Sequence, residues 1–201
     1  MKIVAISGTP GCGKTSVSKK ISEKIGAQII SLNELAIAEG LTLKFDSKRN
    51  THVIDADRLI PHVIDLIEKF KKESLEFLII ESHFSDIIPE KYVDYAIVLR
   101  CHPDILYKRL ETRGYKKGKI IENVQAEILS QCTNFFIEQQ SKVPIFEIDT
   151  SNLSSDAVSD IIIDIIVKNK DREKFQVGKV DWLEILAQND TLARRYFYDE
   201  V

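Results

Sequence analysis

Short apolar runs alternate with longer amphipathic stretches over the first 170 residues of the chain. The apolar runs have the length of β-strands and cover residues 2–7, 28–31, 75–81, 95–100 and 144–149. Between the first two runs, Val17, Ile21 and Ile25 share one side of a helix over residues 14–25, because they are four residues apart. This alternation predicts a doubly wound α/β fold in which five parallel strands are joined by crossover helices.

The remaining segments of this part lead to separate predictions. Residues 41–54 are polar and have no period, which indicates an ordered excursion or a mobile flap. Residues 57–72 should form a helix with Pro61 in its first turn, where proline is tolerated. One long helix is expected from about residue 121 to residue 140, and a last packing helix over residues 154–170.

A glycine-rich segment joins the first strand to the first helix. Its sequence, Gly8-Thr9-Pro10-Gly11-Cys12-Gly13-Lys14-Thr15, matches the pattern G-x-x-x-x-G-K-[ST]. The glycines let successive backbone N–H groups converge on a phosphate at a helix N-terminus. Lys14 can reach the outer phosphates, and the Thr15 hydroxyl can bind Mg²⁺. We therefore predict a P-loop NTPase fold that binds ATP together with Mg²⁺.

A P-loop also needs an acidic group near the metal, at the end of a neighbouring strand. Glu81 ends the run 75–81 and is our candidate second metal residue, although it could also be a solvated strand end. His83 follows two residues later, and it either faces the same crevice as a catalytic residue or is structural. Asp55 and Asp57 are alternative acids, but Asp57 is better placed to be the N-cap of the next helix.

Two arginines, Arg109 and Arg113, are four residues apart and should lie on one face of a helix. Phosphoryl transfer develops charge on oxygens that the P-loop alone does not cover, and guanidinium groups that close over the phosphates stabilise it. Gly114 and Gly118 bracket a short basic segment that could hinge as a lid. The alternative is an exposed helix face on which the arginines form salt bridges with Glu111 or its neighbours.

Composition adds few constraints. The net charge of −3 gives no global reason to expect nucleic acid or a membrane as a partner. Three cysteines without a CxxC pair favour a reducing compartment and argue against a disulfide framework or a zinc site. The apolar run 161–167 is interrupted by Asp164 and is too short to span a bilayer. We expect a cytoplasmic protein.

Besides the P-loop, three segments are distinctive: residues 54–58, residues 79–83, and residues 98–128 with the run Arg-Leu-Glu-Thr-Arg-Gly-Tyr at 109–115. In these segments the chain resembles the adenylate kinase isoenzyme 6 family, which archaea and eukaryotes share and which is linked to assembly of the small ribosomal subunit. The resemblance covers residues 1–170 and implies one nucleoside monophosphate kinase domain. It also implies a monophosphate-binding region at about 31–54 and a lid at about 112–122, and it leaves residues 171–201 as an extension of unknown role.

The family resemblance implies an adenylate kinase, which converts ATP and AMP to two ADP, with broad monophosphate specificity and an ATPase side activity. It implies that the lid residue Arg113 binds the ATP phosphates together with five residues of the P-loop, namely Gly11, Gly13, Lys14, Thr15 and Ser16. It further implies a role in maturation of small-subunit rRNA, with a ribosomal protein of the uS11 type and the pre-ribosomal small subunit as partners. We expect a monomer.

Two positions depart from the family pattern. Ile37 occupies the place on the second helix where many adenylate kinases have a basic residue, so Lys44, Lys48, Arg49 or Arg58 would have to bind the monophosphate. Glu81 stands where some members have aspartate, which preserves the charge.

Two other functions remain open at this point, an assembly ATPase that releases a ribosomal protein and a small-metabolite kinase of the shikimate or gluconate type. The basic and aromatic run Arg194–Tyr198 would suit contacts with RNA or an acidic protein. Trp182 either belongs to such a partner surface or caps the core. We predict that a chain ending at Lys170 keeps ATP binding and monophosphate phosphorylation but loses affinity for a ribosomal partner or for pre-rRNA. If Trp182 instead caps the core, the shortened chain should melt at a lower temperature and lose its activity.

Overall fold

The computed structural model describes residues 1–47, 51–139 and 142–198. The strands are β1 (Lys2–Ser7), β2 (Gln28–Ser31), β3 (Thr42–Asp46), β4 (Thr51–Ile54), β5 (Phe77–Glu81), β6 (Tyr95–Arg100) and β7 (Ile145–Asp149). Five of them form one parallel sheet in the order β2-β5-β1-β6-β7, which confirms the predicted doubly wound α/β fold. Because β1 lies at the centre, the loop that follows it opens at the middle of the sheet's carboxyl edge.

The helices cover both faces of this sheet. They are α1 (Lys14–Ile25), α2 (Leu32–Ala38), α3 (Ala56–Lys72), α4 (Pro103–Thr112), α5 (Lys117–Ile128), α6 (Gln131–Glu138), α7 (Ser155–Ile166), α8 (Trp182–Ala187) and α9 (Asp190–Ala193). On β1, Val4 and Ile6 pack into one apolar cluster, whereas Ile3 and Ala5 pack into clusters on the other face. The strand is apolar throughout because both of its faces are buried. In the described part of the chain, every helix falls short of the length and apolar character needed to cross a membrane.

The structure makes one local prediction more specific and corrects two others. Residues 41–54 contain the antiparallel pair of β3 and β4, and the candidate residues Lys48 and Arg49 lie outside the described residues. The single helix expected over residues 121–140 is divided into α5 and α6, because Ser130 has a left-handed backbone with φ 54°. Helix α3 begins at Ala56, so Pro61 lies in the second turn rather than the first, and it lacks the N–H that would bond a preceding carbonyl.

Residues beyond 170 pack against the sheet and its helices. Trp182, which is 6% exposed, belongs to the main apolar cluster together with Leu192 and Tyr196. Of the two alternatives for Trp182, the structure therefore shows a buried residue of the core. The prediction of one exposed cluster over Arg194–Tyr198 is wrong for Tyr196, which is 1% exposed and whose hydroxyl donates to Asp104 Oδ1 at 2.8 Å. Arg195 binds the same carboxylate.

Candidate active site

The loop between β1 and α1 has the glycine geometry of a phosphate-binding loop. Gly8 has φ 133°, and a Cβ atom there would lie 2.4 Å from the carbonyl oxygen of Leu99. Gly11 has φ 100°, and a Cβ atom there would lie 2.7 Å from Leu106 Cδ1. These two glycines let the loop pack closely against β6 and α4. Gly13 also has φ 100°, but a Cβ atom there would have no other atom within 4 Å. This side of the loop is therefore open toward a ligand.

The Lys14 side chain folds back over this loop. Its Nζ donates to the carbonyl oxygens of Gly8 at 2.6 Å and Thr9 at 3.3 Å. Burial lowers the pKa of Lys14, while the nearby carboxylates of Glu81 and Glu127 oppose that shift. The ammonium group thus lies against the start of the loop, where phosphate oxygens could replace the two carbonyls as its partners.

Thr15 and Glu81 meet at the carboxyl edge of the sheet, as the sequence predicts. The Thr15 hydroxyl donates to the carboxylate of Glu81, a residue that is only 4% exposed. A buried carboxylate with a neutral hydroxyl partner, next to a phosphate loop, fits a hard divalent cation such as Mg²⁺, which prefers oxygen ligands. The alternative acid Asp55 is occupied elsewhere. It caps α3 by accepting from the Arg58 N–H at 3.3 Å, so the N-cap is Asp55 and not Asp57, because the helix begins one residue earlier than predicted.

His83 lines the same cleft as Lys14 and Glu81. Its ring meets the ring of Phe84 edge to face, with the centroids 4.8 Å apart. His83 is exposed to solvent on one side, and its partial desolvation by the cleft, followed by repulsion from Lys14 and Lys119, lowers the pKa of His83 to about 4. The imidazole is therefore neutral near pH 7, and it can donate or accept a hydrogen bond there but contributes no positive charge.

Two clefts meet over the P-loop. The first has a volume of about 470 Å³ and runs from the P-loop to α2, β4 and the start of α5; besides the P-loop it is lined by Ser31, Asn33, Glu34, Thr51, Glu81, Ser82, His83, Arg113, Tyr115, Lys119, Glu122 and Asn123. The second has a volume of about 510 Å³ and lies between α4 and the segment after β7; besides the P-loop it is lined by Val17, Ile105, Lys108, Arg109, Thr112, Arg113, Thr150, Leu153, Ser155 and Val158. Either volume suits part of a nucleotide.

The two lid arginines occupy different places. Arg109 lines only the second cleft, where its guanidinium donates to the carbonyl of Thr150 at 2.8 Å and to that of Ser151 at 3.3 Å. Arg113 is the exposed C-cap of α4 and lines both clefts. Across the described residues, neither arginine forms an ion pair with Glu111, so the salt-bridge alternative is not observed. Arg113 is thus the arginine that can reach ligands on either side of the P-loop.

Sequence reasoning assigned no role to a buried charged cluster behind the P-loop. Arg100, at the end of β6, pairs with Glu127 and Glu147, and all three side chains are almost completely buried. A signal was present in the sequence, because Glu127 takes the place of an apolar residue in the stripe that Ile120, Val124 and Ile128 form on α5.

Comparisons with known proteins agree with this geometry. A family model described as an AAA domain matches residues 4–130. A protein of Methanocaldococcus jannaschii named "Putative adenylate kinase" is 38% identical over 181 residues, which cover 90% of this chain and 93% of that protein. The "Adenylate kinase isoenzyme 6 homolog" of Caenorhabditis elegans is 31% identical over 147 residues, which cover 73% and 79% of the two chains.

Among solved structures, shikimate kinase from Acinetobacter baumannii in complex with shikimate has a TM-score of 0.56 at 11% identity. The match covers 85% of this chain and 95% of that one, and at this identity it shows a shared fold alone. The chain therefore belongs to the adenylate kinase isoenzyme 6 family, within the larger group of P-loop proteins that the AAA domain model describes.

Proposed function

We propose that the protein transfers the terminal phosphoryl group of Mg-ATP to a nucleoside monophosphate, with AMP as the first acceptor to test. The observation that carries this proposal is the meeting of two clefts at one P-loop, with Arg113 lining both. A pure ATPase needs one nucleotide pocket, whereas a phosphotransferase has to hold a donor and an acceptor end to end. The arrangement supports in-line transfer across the P-loop.

The second cleft suits the base and ribose of ATP, since it is bounded by the apolar side chains of Ile105, Leu153 and Val158 and by the Arg109 guanidinium. From there the phosphates would follow the loop toward Lys14. Thr15 and Glu81 would hold Mg²⁺. The ion would neutralise phosphate charge and orient the phosphate oxygens when bound.

The first cleft suits the acceptor. Among the described residues that line it, the cationic side chains are those of Lys14, Arg113 and Lys119. Lys44 and Arg58 do not line it, and Arg58 instead donates to the carbonyl of Gly40 at 3.3 Å. We infer that residues on the lid side contribute to binding of the acceptor phosphate. No general base is required, because the attacking phosphate oxygen is already an anion.

The experiment measures ADP formation from Mg-ATP with AMP, CMP, GMP, UMP, shikimate or gluconate, each compared with Mg-ATP alone. We expect a monophosphate to accelerate ADP formation far above the rate with ATP alone. A rate that only shikimate or gluconate raises would instead support a small-metabolite kinase. A rate that no acceptor changes would leave an ATPase and would overturn the proposal of a transferase.

We further infer from the family resemblance an ATPase side activity and a part in small-subunit rRNA maturation. The exposed apolar side chains of Ile37, Leu43 and Phe45, each more than half exposed, are consistent with a protein partner at this end of the molecule. Binding of a uS11-type ribosomal protein should then weaken when Leu43 and Phe45 are both replaced by serine. Unchanged binding, with intact kinase activity in the same variant, would exclude this surface. The pre-ribosomal small subunit as a partner, the cytoplasmic location and the monomeric state stay predictions.

A further inference from the structure

The buried cluster of Arg100, Glu127 and Glu147 carries an excess negative charge, because one guanidinium faces two carboxylates. An uncompensated charge in a protein interior is strongly unfavourable unless neutral donors complete its hydrogen bonds. Around this cluster such donors are present. Cys101 N donates to Glu127 at 3.1 Å, and the Thr133 hydroxyl donates to Glu147 at 2.7 Å.

The C-terminal tail, residues 171–198, supplies two more donors. The indole Nε1 of Trp182 donates to Glu127 Oε1 at 3.0 Å. The backbone N–H of Gly178 donates to Glu147 Oε2 at 2.9 Å, and the carbonyl of Val180 accepts from Arg100 at 3.4 Å. The tail thus touches all three members of the cluster, and its removal would leave both carboxylates short of a donor.

The other oxygen of Glu127 faces the P-loop. Glu127 Oε2 accepts from the Thr9 hydroxyl at 2.7 Å and from the thiol of Cys12 at 3.7 Å. The Thr9 carbonyl in turn accepts from Lys14 Nζ. A continuous set of hydrogen bonds therefore runs from the indole of Trp182 through Glu127 and Thr9 to the P-loop lysine.

We propose that Trp182 is a positioning residue for the P-loop. Together with Arg100 Nε and Cys101 N, which donate to the same Oε1 at 2.8 and 3.1 Å, it orients the Glu127 carboxylate. The other oxygen then holds Thr9, and with it the loop backbone and the resting place of Lys14. Trp182 itself contacts no substrate. This inference rests on the proposed phosphate site at the P-loop, but it does not depend on which acceptor the enzyme uses.

The first test compares two tail variants that each lose one side-chain hydrogen bond. Trp182→Phe removes the indole N–H that reaches Glu127, and Tyr196→Phe removes the hydroxyl that reaches Asp104. We expect kcat to fall about tenfold in Trp182→Phe, since a hydrogen bond to a charged group is lost. In Tyr196→Phe, kcat should stay within about twofold of wild type, because the lost hydroxyl contacts Asp104 and not the Glu127 carboxylate. Equal kcat values in the two variants would overturn the proposal.

The second test is a double-mutant cycle with Thr9→Val, which removes the link between the P-loop and Glu127. If Trp182 acts through this link, Trp182→Phe should lower kcat little further once Thr9 is valine. A merely structural role of Trp182 predicts that the two reductions in kcat multiply. Multiplicative effects would therefore contradict the inference.

A third measurement needs no variant of Trp182. Trp182 is the only tryptophan of the chain, so intrinsic tryptophan fluorescence reports on this residue alone. Saturation with Mg-ATP, verified by calorimetry, should change the emission of the wild type, and the change should be at least halved in Thr9→Val. Mg-ATP binding that leaves the emission unchanged would overturn the positioning role. No binding of Mg-ATP to the wild type would instead refute the proposed function.

Discussion

The hydroxyl of Thr15 donates to both oxygens of the Glu81 carboxylate, at 3.0 and 3.2 Å. This pair joins the first turn of α1 to the end of β5, so two separate elements meet at one oxygen-rich point beside the P-loop. Among the acids that the sequence offered for a metal site, Glu81 is the one that lies on the first cleft with Thr15. The pair therefore leads to the first prediction.

Glu81→Gln should raise the Mg²⁺ concentration needed for half-maximal activity by about tenfold, because an amide is a weaker partner for a hard cation or its bound water. The measurement is ADP formation over a series of Mg²⁺ concentrations at fixed ATP. Asp55→Asn is the control, since Asp55 caps α3 and should leave the Mg²⁺ dependence unchanged. The same Mg²⁺ curve for Glu81→Gln and wild type would remove Glu81 from the metal site.

Lys14→Ala should reduce kcat by about 10²–10³-fold, since it removes a charge that stabilises the transferred phosphoryl group. The melting temperature should change little, because the Lys14 ammonium bonds only loop carbonyls that can be solvated instead. Lys20→Ala on the same helix is a matched control, since Lys20 forms an exposed ion pair with Glu23. Transfer within tenfold of wild type in Lys14→Ala would contradict the assignment of the P-loop.

Arg113→Ala and Arg109→Ala should affect different kinetic constants. Arg113 lies over both clefts, so its loss should lower kcat by roughly 10²-fold if its contact strengthens as charge develops. Arg109 lines the second cleft and binds the carbonyls of Thr150 and Ser151, so its loss should mainly raise the KM for ATP, by about tenfold. Steady-state kinetics at varied ATP separates the two. If the two variants changed kcat and the KM for ATP by the same factors, Arg109 and Arg113 would not have the separate roles assigned to them.

His83 should contribute to acid destabilisation. Its pKa is lowered from 6.5 to about 4 in the folded protein, so between these values the unfolded chain binds a proton that the folded one does not. Stability from this residue is therefore fully present above pH 6.5 and is lost as the pH falls toward 4. The melting temperature of wild type minus that of His83→Asn should therefore decrease as the pH falls from 7 to 4, by a small amount because His83 is exposed. Parallel curves would show that His83 is not desolvated.

Much of the nucleotide site could be predicted because its residues are close in sequence. The run from Gly8 to Thr15 contains the loop and the start of α1. Glycine, lysine and threonine at these spacings form a phosphate-binding loop through local backbone geometry, so the pattern can be recognised without knowledge of distant contacts. The hairpin of β3 and β4 was missed for the opposite reason. Leu43 and Phe45 are exposed, so the hairpin has no buried face. Its sequence therefore lacks the alternation of apolar and polar residues by which a half-buried strand is recognised.

The break between α5 and α6 and the position of the tail depend on contacts between distant residues. The Ser130 hydroxyl accepts from the Arg100 guanidinium at 2.9 Å, and Trp182 reaches Glu127 across 55 positions of the chain. No local pattern encodes either pairing. Arg109 lines the second cleft and Arg113 lines both, and this difference follows from how α4 packs beside the segment after β7.

A chain ending at Lys170 should be strongly destabilised. It would lose the buried side chains of Trp182, Leu192 and Tyr196, each of which contributes about 1.5–3 kcal/mol by burial. Glu127 and Glu147 would also lose the donors that the tail provides. Because a domain of this kind is stable by about 5–15 kcal/mol, we expect the shortened chain to be largely unfolded at 37 °C and inactive. The control is Leu183→Ala in the full chain, at an exposed neighbour of Trp182, which should leave the melting temperature nearly unchanged.

Thermal melts and ADP formation are measured for the shortened chain and for Leu183→Ala. A shortened chain that melts within a few degrees of the full protein and retains its activity would show that the tail is dispensable for the fold and for the P-loop.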